Sequence, residues 1–210
     1  MDVEEVLGSA DWQLIRGEVQ FTYSEHFSQY SYTKYPAQDY QRFKQTFSAF
    51  EPVVELDSAL LWKWGHWGKT NYPSKQGLLI TEISALWGEY LKWVGVLADA
   101  PSPKDTFQWW SERLGRLRYI TSAFLTHLIH PRDVPIIDQH NFRAMNHLLR
   151  VQQPKKKPSD WSDIAHLKCF LTEATTNLQY SESDFDKYLM MYGRALKLHK
   201  PKTSSSKEHA

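Results

Sequence analysis

TSAFLTHLIHPRDVPIIDQHNFR, residues 121–143, is the stretch of this chain that says most about its fold. An apolar run of helical character ends at His130-Pro131, and a short turn leads into Val134-Pro135-Ile136-Ile137. Asp138 comes next, and a new helix is predicted to start there. An Asp at a helix start caps the helix with its carboxylate, and the positive helix end favours the ionised form. The sequence therefore predicts a fixed carboxylate, held from behind by an apolar plug.

The same stretch resembles the helix-hairpin-helix DNA glycosylases of the endonuclease III and adenine glycosylase branch. In that family a hairpin is followed by a Thr-Ala helix, an apolar-Pro-apolar-apolar-Asp segment, and a helix starting D-x-H-x-F-R-x-x-N. The resemblance covers about residues 114–150. The residues that match this pattern, at the same spacing, are Thr121, Pro135, Ile136, Ile137, Asp138, His140, Phe142, Arg143 and Asn146.

The resemblance implies an all-α fold in which two helical lobes flank a cleft, with Asp138 at its mouth as the catalytic residue. Cleavage of an N-glycosidic bond builds positive charge on the sugar, and a fixed carboxylate stabilises that charge and orients or deprotonates the attacking water. The implied partner is double-stranded DNA that carries a damaged or modified base. The alternative for Asp138 is a helix cap without a catalytic role.

The chain departs from the family at three points. The family hairpin reads roughly L-P-G-[VI]-G, whereas residues 114–120 read LGRLRYI, with one glycine. Ile120 stands where the bifunctional members carry a Schiff-base lysine, so the prediction is a monofunctional enzyme. Many members hold an iron–sulfur cluster on four cysteines. Cys169 is the one cysteine of this chain, so that cluster cannot form and no cofactor is predicted.

The hairpin and its neighbours are the predicted DNA contacts. Arginines there would meet phosphates and fix the register without reading the sequence, and a glycine would permit the tight turn. The alternative for the hairpin is a solvated turn, and the alternative for Thr121 is a cap of the second helix. The predicted contacts are Gly115, Arg116, Arg118, Tyr119, Thr121 and Arg143.

Residues 61–69, LWKWGHWGK, hold three tryptophans between glycines, lysines and a histidine. A flipped base needs aromatic faces and a few donors around it, and a pocket is therefore one interpretation of this segment. Packing between helices is the other. The pocket interpretation assigns Trp64, His66, Trp67 and Lys69. No metal site is predicted, because the histidines at 127, 130, 140 and 147 form no known ligand motif.

Composition bounds the class of protein. The chain has 210 residues, is 41% hydrophobic, and contains one cysteine, which points to a reducing compartment. The acidic first residues lack the features of a signal peptide, and charges interrupt the longest apolar segment, so a cytoplasmic, monomeric protein is expected. The formal net charge is +1, but residues 1–112 carry −6 and residues 113–210 carry +7. A basic half suits phosphates, although an ordinary mixed surface would also explain it.

Helical periodicity recurs along most of the chain, which favours an all-α, glycosylase-like architecture. Residues 1–38 are predicted to be an N-terminal arm without assigned structure, residues 39–200 the helical domain, and residues 201–210 a disordered tail. Within the domain the hairpin spans about 105–130, with Ile120, Phe124 and Leu128 on its buried stripe, and the catalytic segment spans 134–150. The predicted helices cover residues 39–50, 53–64, 75–98, 105–114, 119–130, 138–150, 161–179 and 184–199.

Three functions compete at this point. The first is a monofunctional DNA glycosylase, with repair and defence against phage DNA that carries modified bases both open. The second is a non-catalytic helix-hairpin-helix DNA-binding protein. The third is a helical ribonuclease of a toxin or defence system, which ranks last because the spacing from Arg143 to His147 is one residue too short for the usual pattern.

Overall fold

The structure is a computed structural model, and it describes residues 7–8, 10–30, 36–66, 74–115 and 118–198. Across these ranges the fold is all-α, with nine main helices and no strand. None of these helices combines the length and apolar character needed to cross a bilayer. The helices are α1 (Trp12–Ser28), α2 (Ala37–Ser48), α3 (Leu56–Lys63), α4 (Ser74–Gly95), α5 (Pro103–Leu114), α6 (Tyr119–Ile129), α7 (Gln139–Leu148), α8 (Trp161–Leu178) and α9 (Glu182–Leu198).

Local signals explain where several helices begin. Ser102 caps α5, and Pro103 occupies the first turn, where its missing N–H costs nothing. Asp138 and Asp160 start α7 and α8 with reciprocal capping boxes, in which the side chain three residues later bonds back to the cap. Gly115 ends α5 with φ of 76°, a conformation that glycine adopts without strain.

Helix α1 lies in the N-terminal arm, residues 1–38, to which the sequence analysis assigned no structure. The Asp11 carboxylate caps the helix by accepting hydrogen bonds from the amides of Gln13 and Leu14 at 3.1 and 3.0 Å. Only Ile15, Val19 and His26 of this helix are buried. So narrow a stripe produces little hydrophobic periodicity, which is why the pattern was not recognised.

The buried side chains form two hydrophobic clusters. One joins α1, α7, α8 and α9, with Val19, Phe142 and Phe185 among its members. The other joins α2 to α6 and is rich in aromatic rings such as Trp87 and Trp110. Helix α6 contributes to both clusters, and all its residues except Ile120 are buried. The division of the molecule into two lobes stays a prediction.

Helices α7 and α9 make the most extensive helix–helix contact in the described ranges. At Gly193 the two backbones touch, because a Cβ built there would lie 2.6 Å from the carbonyl carbon of His140 and closer still to its oxygen. The Arg143 guanidinium of α7 donates a hydrogen bond to the Gly193 carbonyl at 2.7 Å. This crossing fixes how the two helices that carry the candidate site face each other.

Candidate functional site

A cavity of about 870 Å³ opens between α2 and α3 on one side and the segment 131–138, α7 and α9 on the other. Its lining includes Tyr40, Trp62, Lys63, Asp138, Asn141 and Asp186. The volume falls within the usual range of sites for small molecules, which is about 300–1,000 Å³. The cavity therefore offers room for a nucleobase and part of its sugar.

Asp138 is held firmly at the start of α7. Its Oδ1 accepts hydrogen bonds from the amides of His140 and Asn141 at 2.6 and 3.1 Å. Val134 and Ile137 are buried behind it, which confirms the predicted apolar plug. Its second oxygen, Oδ2, accepts no hydrogen bond from any residue that the structure describes. One oxygen of the carboxylate thus caps the helix, and the other is available to a molecule bound in the cavity that Asp138 lines.

Asn141 links Asp138 to a second carboxyl group, that of Asp186 on α9. The Asn141 Oδ1 accepts the Asp138 amide hydrogen at 2.8 Å. Its Nδ2 donates to the Ile136 carbonyl at 2.7 Å and to Asp186 Oδ1 at 2.9 Å. With both donors and the acceptor engaged, the orientation of this buried amide is fixed. Asn141 therefore sets the position of one carboxyl group relative to the other.

Burial raises the pKa of Asp186 to about 7, and the hydrogen bond from Asn141 opposes that rise. The nearby charge of Asp138 raises the pKa further, while the charge of Lys63 lowers it. Asp186 was not among the residues predicted from sequence. It is one of several acidic residues in the stretch SESDFD, and only the packing of α9 on α7 distinguishes it.

Lys63, the last residue of α3, brings an amine into the same cavity. Burial lowers its pKa, and the charges of Asp138 and Asp186 partly offset that effect. Within the described part of the chain no carboxylate lies within 4.0 Å of its ammonium group, which sits 5.7 Å from the centre of the Phe124 ring. The positive charge therefore acts on both carboxyl groups without being bound to either.

Stacked rings form one wall of the cavity. The rings of Tyr40 and Trp62 lie 4.6 Å apart at 6°, and those of Tyr40 and His127 lie 5.8 Å apart at 9°. His127 Nδ1 is 2.5 Å from the Val134 carbonyl, and burial lowers the pKa of His127 to about 4. A neutral ring that donates from Nδ1 accepts the Tyr40 hydroxyl at Nε2, where the distance is 2.6 Å. The two hydrogen bonds of His127 therefore hold the Tyr40 ring in its position in the cavity wall.

The predicted base pocket is reproduced only in part. Trp64 lines the cavity. His66 does not, and its ring Nε2 lies 3.2 Å from the side-chain nitrogen of Gln76. Trp67 and Lys69 lie outside the described residues. The rings that do face the cavity include Tyr40, which the sequence analysis placed only in the first helix of the domain.

The predicted hairpin contacts differ in their exposure and in their pairing within the protein. Gly115 is exposed and adopts the positive φ expected of a tight turn. Arg118 is half-exposed and forms an ion pair with Glu82 on α4. Arg116 lies outside the described residues. The charge of Arg118 is therefore already partly compensated within the protein.

Three other predicted DNA contacts have structural roles. Tyr119 is buried, and its hydroxyl donates to the Asp160 carbonyl at 3.0 Å. Thr121 is buried within the first turn of α6. Arg143 holds α9 against α7 through its bond to Gly193. We do not retain these three side chains as phosphate contacts, because each is already enclosed or engaged by the fold.

Cations outnumber carboxylates around the cavity. Arg132 and Arg194 are exposed, Lys44 is half-buried, and all three line the cavity with Lys63 and Lys187. The carboxylates in the lining are those of Asp138, Glu182 and Asp186. Arg132 and Arg194 are more exposed than Asp138 and Asp186, so the positive charge of the two arginines is the more accessible at the mouth of the cavity. A polyanion would be attracted to such a mouth.

A comparison with protein families, curated proteins and solved structures finds no match to this chain.

Proposed function

We propose that this protein is a DNA glycosylase, which takes a damaged or modified base out of the duplex and hydrolyses its N-glycosidic bond. The observation that carries the proposal is the setting of Asp138. Its carboxylate is fixed at a helix start and faces a cavity of a size suited to a base, with stacked rings on one wall. Flipped bases are held in this way, between aromatic faces and a few polar groups.

The chemistry requires negative charge close to the sugar. As the bond between C1′ and the base nitrogen lengthens, positive charge develops on C1′ and the ring oxygen. The free oxygen of Asp138 can stabilise this charge and accept a proton from the attacking water. Because the same residue is tied to two backbone amides, the carboxylate does not have to reorganise during the reaction.

The product would be an abasic site in an otherwise intact strand. Ile120 stands at the hairpin position that would hold a lysine in a bifunctional enzyme, and its hydrocarbon side chain cannot form a Schiff base. We therefore propose a monofunctional hydrolase.

DNA would reach the cavity along its positive mouth. Arg132 is exposed there and forms no ion pair with any residue in the described ranges. Arg132→Ala should therefore weaken duplex binding alike across sequences and lower the slope of log K against log salt by about one unit. Fluorescence anisotropy over a series of salt concentrations measures this slope.

Two other arginines serve as comparisons for that measurement. Arg42 is paired with Asp39 and Glu55 and does not line the cavity, so Arg42→Ala should leave the slope unchanged. A loss with Arg118→Ala and none with Arg132→Ala would instead place the duplex on the hairpin.

A second candidate is a DNA-binding protein that has the fold but no catalysis. The observation that favours it is the capping box, because holding the start of α7 is a sufficient structural reason for an Asp at position 138. The two candidates differ in one measurable property, which is the release of a free base.

The direct test uses a panel of duplexes that each carry one modified base. The panel should span uracil, alkylated purines, oxidised bases and the bulky modified bases of phage DNA. Alkali cleavage after incubation reports abasic sites. Release of a bulky phage-type base would support a role in defence, and release of a small lesion would support repair. Binding without release of any base would favour the second candidate.

A further inference from the structure

Two carboxyl groups from different helices share one cavity and one buried amide. Asp138 precedes α7, Asp186 lies on α9, and Asn141 bonds to the backbone of the first and the side chain of the second. Asp138 uses Oδ1 to cap α7, whereas Asp186 lies within α9 and does not cap a helix. The function proposed above uses Asp138 and leaves the fixed position of Asp186 unexplained.

We propose that Asp186 is the general acid of this site and delivers a proton to the departing base. The inference rests on the glycosylase function. Both groups line the same cavity, and Asn141 keeps them in a fixed relation. Because Asp186 Oδ1 accepts the hydrogen bond from Asn141, a proton on this carboxyl resides on Oδ2.

The groups that face Asp186 come from four parts of the chain. Lys63 on α3 favours the ionised carboxylate, whereas Asp138 and Glu182 favour the protonated acid. Tyr30, which follows α1, is influenced by the charge of Asp186, and Arg194 on α9 acts on that same tyrosine. With burial as the largest effect, the pKa of Asp186 is raised to about 7. A carboxyl group of this kind can both hold and release a proton near neutral pH.

The proposed step is balanced in atoms and charge. The C1′–N bond breaks, and its electron pair goes to the base. The proton on Asp186 moves to a ring nitrogen or oxygen of the base, which leaves as a neutral molecule while Asp186 becomes a carboxylate. Water forms the new C1′–O bond and passes its proton to Asp138. Exchange with solvent then returns a proton to Asp186 and removes the one on Asp138.

This role points to a class of substrate. A base that is uncharged in DNA would leave as an anion unless it is protonated, so its departure benefits from an acid. A base that already carries a positive charge, such as 7-methylguanine, leaves as a neutral molecule without one. We infer that the substrates are uncharged bases and that Asp186 accounts for a large part of their rate of release.

The test compares wild type with Asp186→Asn on duplexes that carry uncharged modified bases and on a duplex that carries 7-methylguanine, from pH 5 to 9. An Asn amide oxygen can still accept the Asn141 hydrogen bond, so the variant should fold. Release of an uncharged base should fall about a hundredfold. Release of 7-methylguanine should change little. In wild type, release of the uncharged base should decline as pH rises through about 7, because the acid loses its proton.

Two control variants accompany this comparison. Asp184→Asn makes the same change on the same helix at a residue that pairs with Lys187 and does not line the cavity, so its rates should match wild type. Asp186→Glu should keep the decline at high pH, since it retains an acid. If Asp186→Asn does not fold, or if 7-methylguanine is not accepted, the pH profiles of wild type and Asp186→Glu decide.

The outcomes separate the two proposals. Equal losses on uncharged and cationic bases would mean that Asp186 only positions its neighbours, and unchanged rates or a flat wild-type profile would exclude it as an acid. Either result overturns this inference and leaves the glycosylase function intact. No base release by wild type would overturn the glycosylase function, and the role of Asp186 with it.

Discussion

Asp138→Asn should lower base release about a thousandfold while leaving the fold and the affinity for DNA nearly unchanged. Removing one charged or hydrogen-bonding group that acts on the transition state costs about a hundred- to a thousandfold. Asn is the appropriate replacement because its amide oxygen can still cap α7, as Asn and Asp cap helices about equally well. The change thus removes the charge and keeps the structural role. Single-turnover rates on a base that wild type releases give the measurement.

Asp160→Asn provides a matched control for this prediction. Asp160 starts α8 with a capping box of the same kind, and it is not part of the cavity lining. Its replacement should affect the stability of α8 and leave base release unchanged. If Asp138→Asn lost no more activity than Asp160→Asn, the carboxylate at position 138 would be a cap only, and the non-catalytic alternative would be preferred.

Asp138 could be predicted from sequence because the signals that place it are local. An apolar plug before it and a helix after it lie within a few residues, and the structure confirms both. Asp186 could not be predicted in this way. Its relation to Asp138 is established by Asn141, which is 45 residues away in sequence, and by the packing of α9 on α7. The sequence around Asp186 contains no local signal that would predict its contact with Asn141.

The same contrast applies to the helices: features set by local sequence were predicted, and features set by distant contacts were not. The predicted start of α8 at Trp161 is confirmed, because the preceding Ser159-Asp160 is a strong start signal. In α6 the predicted stripe included Ile120 as a buried residue, yet Ile120 is the one residue of that helix that is not buried. Helix α6 packs against both hydrophobic clusters, so it is enclosed on nearly all sides. A periodic pattern describes one buried face and cannot anticipate a helix that has several.

The cavity wall depends on contacts that no short motif encodes. Tyr40 and His127 are 87 residues apart, and their hydrogen bond exists because α2 packs on α6. The unusual composition of the tryptophan-rich segment pointed to a pocket, and the segment contributes Trp62 and Trp64 to the cavity. The partner ring of Trp62 comes from Tyr40, on a different helix.

Gly193→Ala should destabilise the protein by about 3 kcal/mol and also impair the site. A single added methyl group in a well-packed interior costs about 1–3 kcal/mol, and here the atom it would meet is backbone, which cannot rotate away. The methyl carbon would overlap the His140 carbonyl, so α9 must move away from α7. That movement would stretch the bond between Asn141 and Asp186 as well as the bond between Arg143 and Gly193. Urea unfolding followed by circular dichroism measures the loss of stability.

Gly17→Ala is the control that isolates steric overlap from helix propensity. Gly17 lies inside α1, is exposed, and has open space where a Cβ would be. Because alanine is favoured over glycine in a helix by about 1 kcal/mol, Gly17→Ala should raise the free energy of unfolding. An equal gain from Gly193→Ala would mean that the two helix backbones are not in contact. If Gly193→Ala lost stability but, while still folded, kept the wild-type rate and pH profile, the geometry of Asp138 and Asp186 would not depend on this crossing. We expect instead that stability and base release fall together, because α7 and α9 both belong to one hydrophobic cluster and also position the two carboxyl groups.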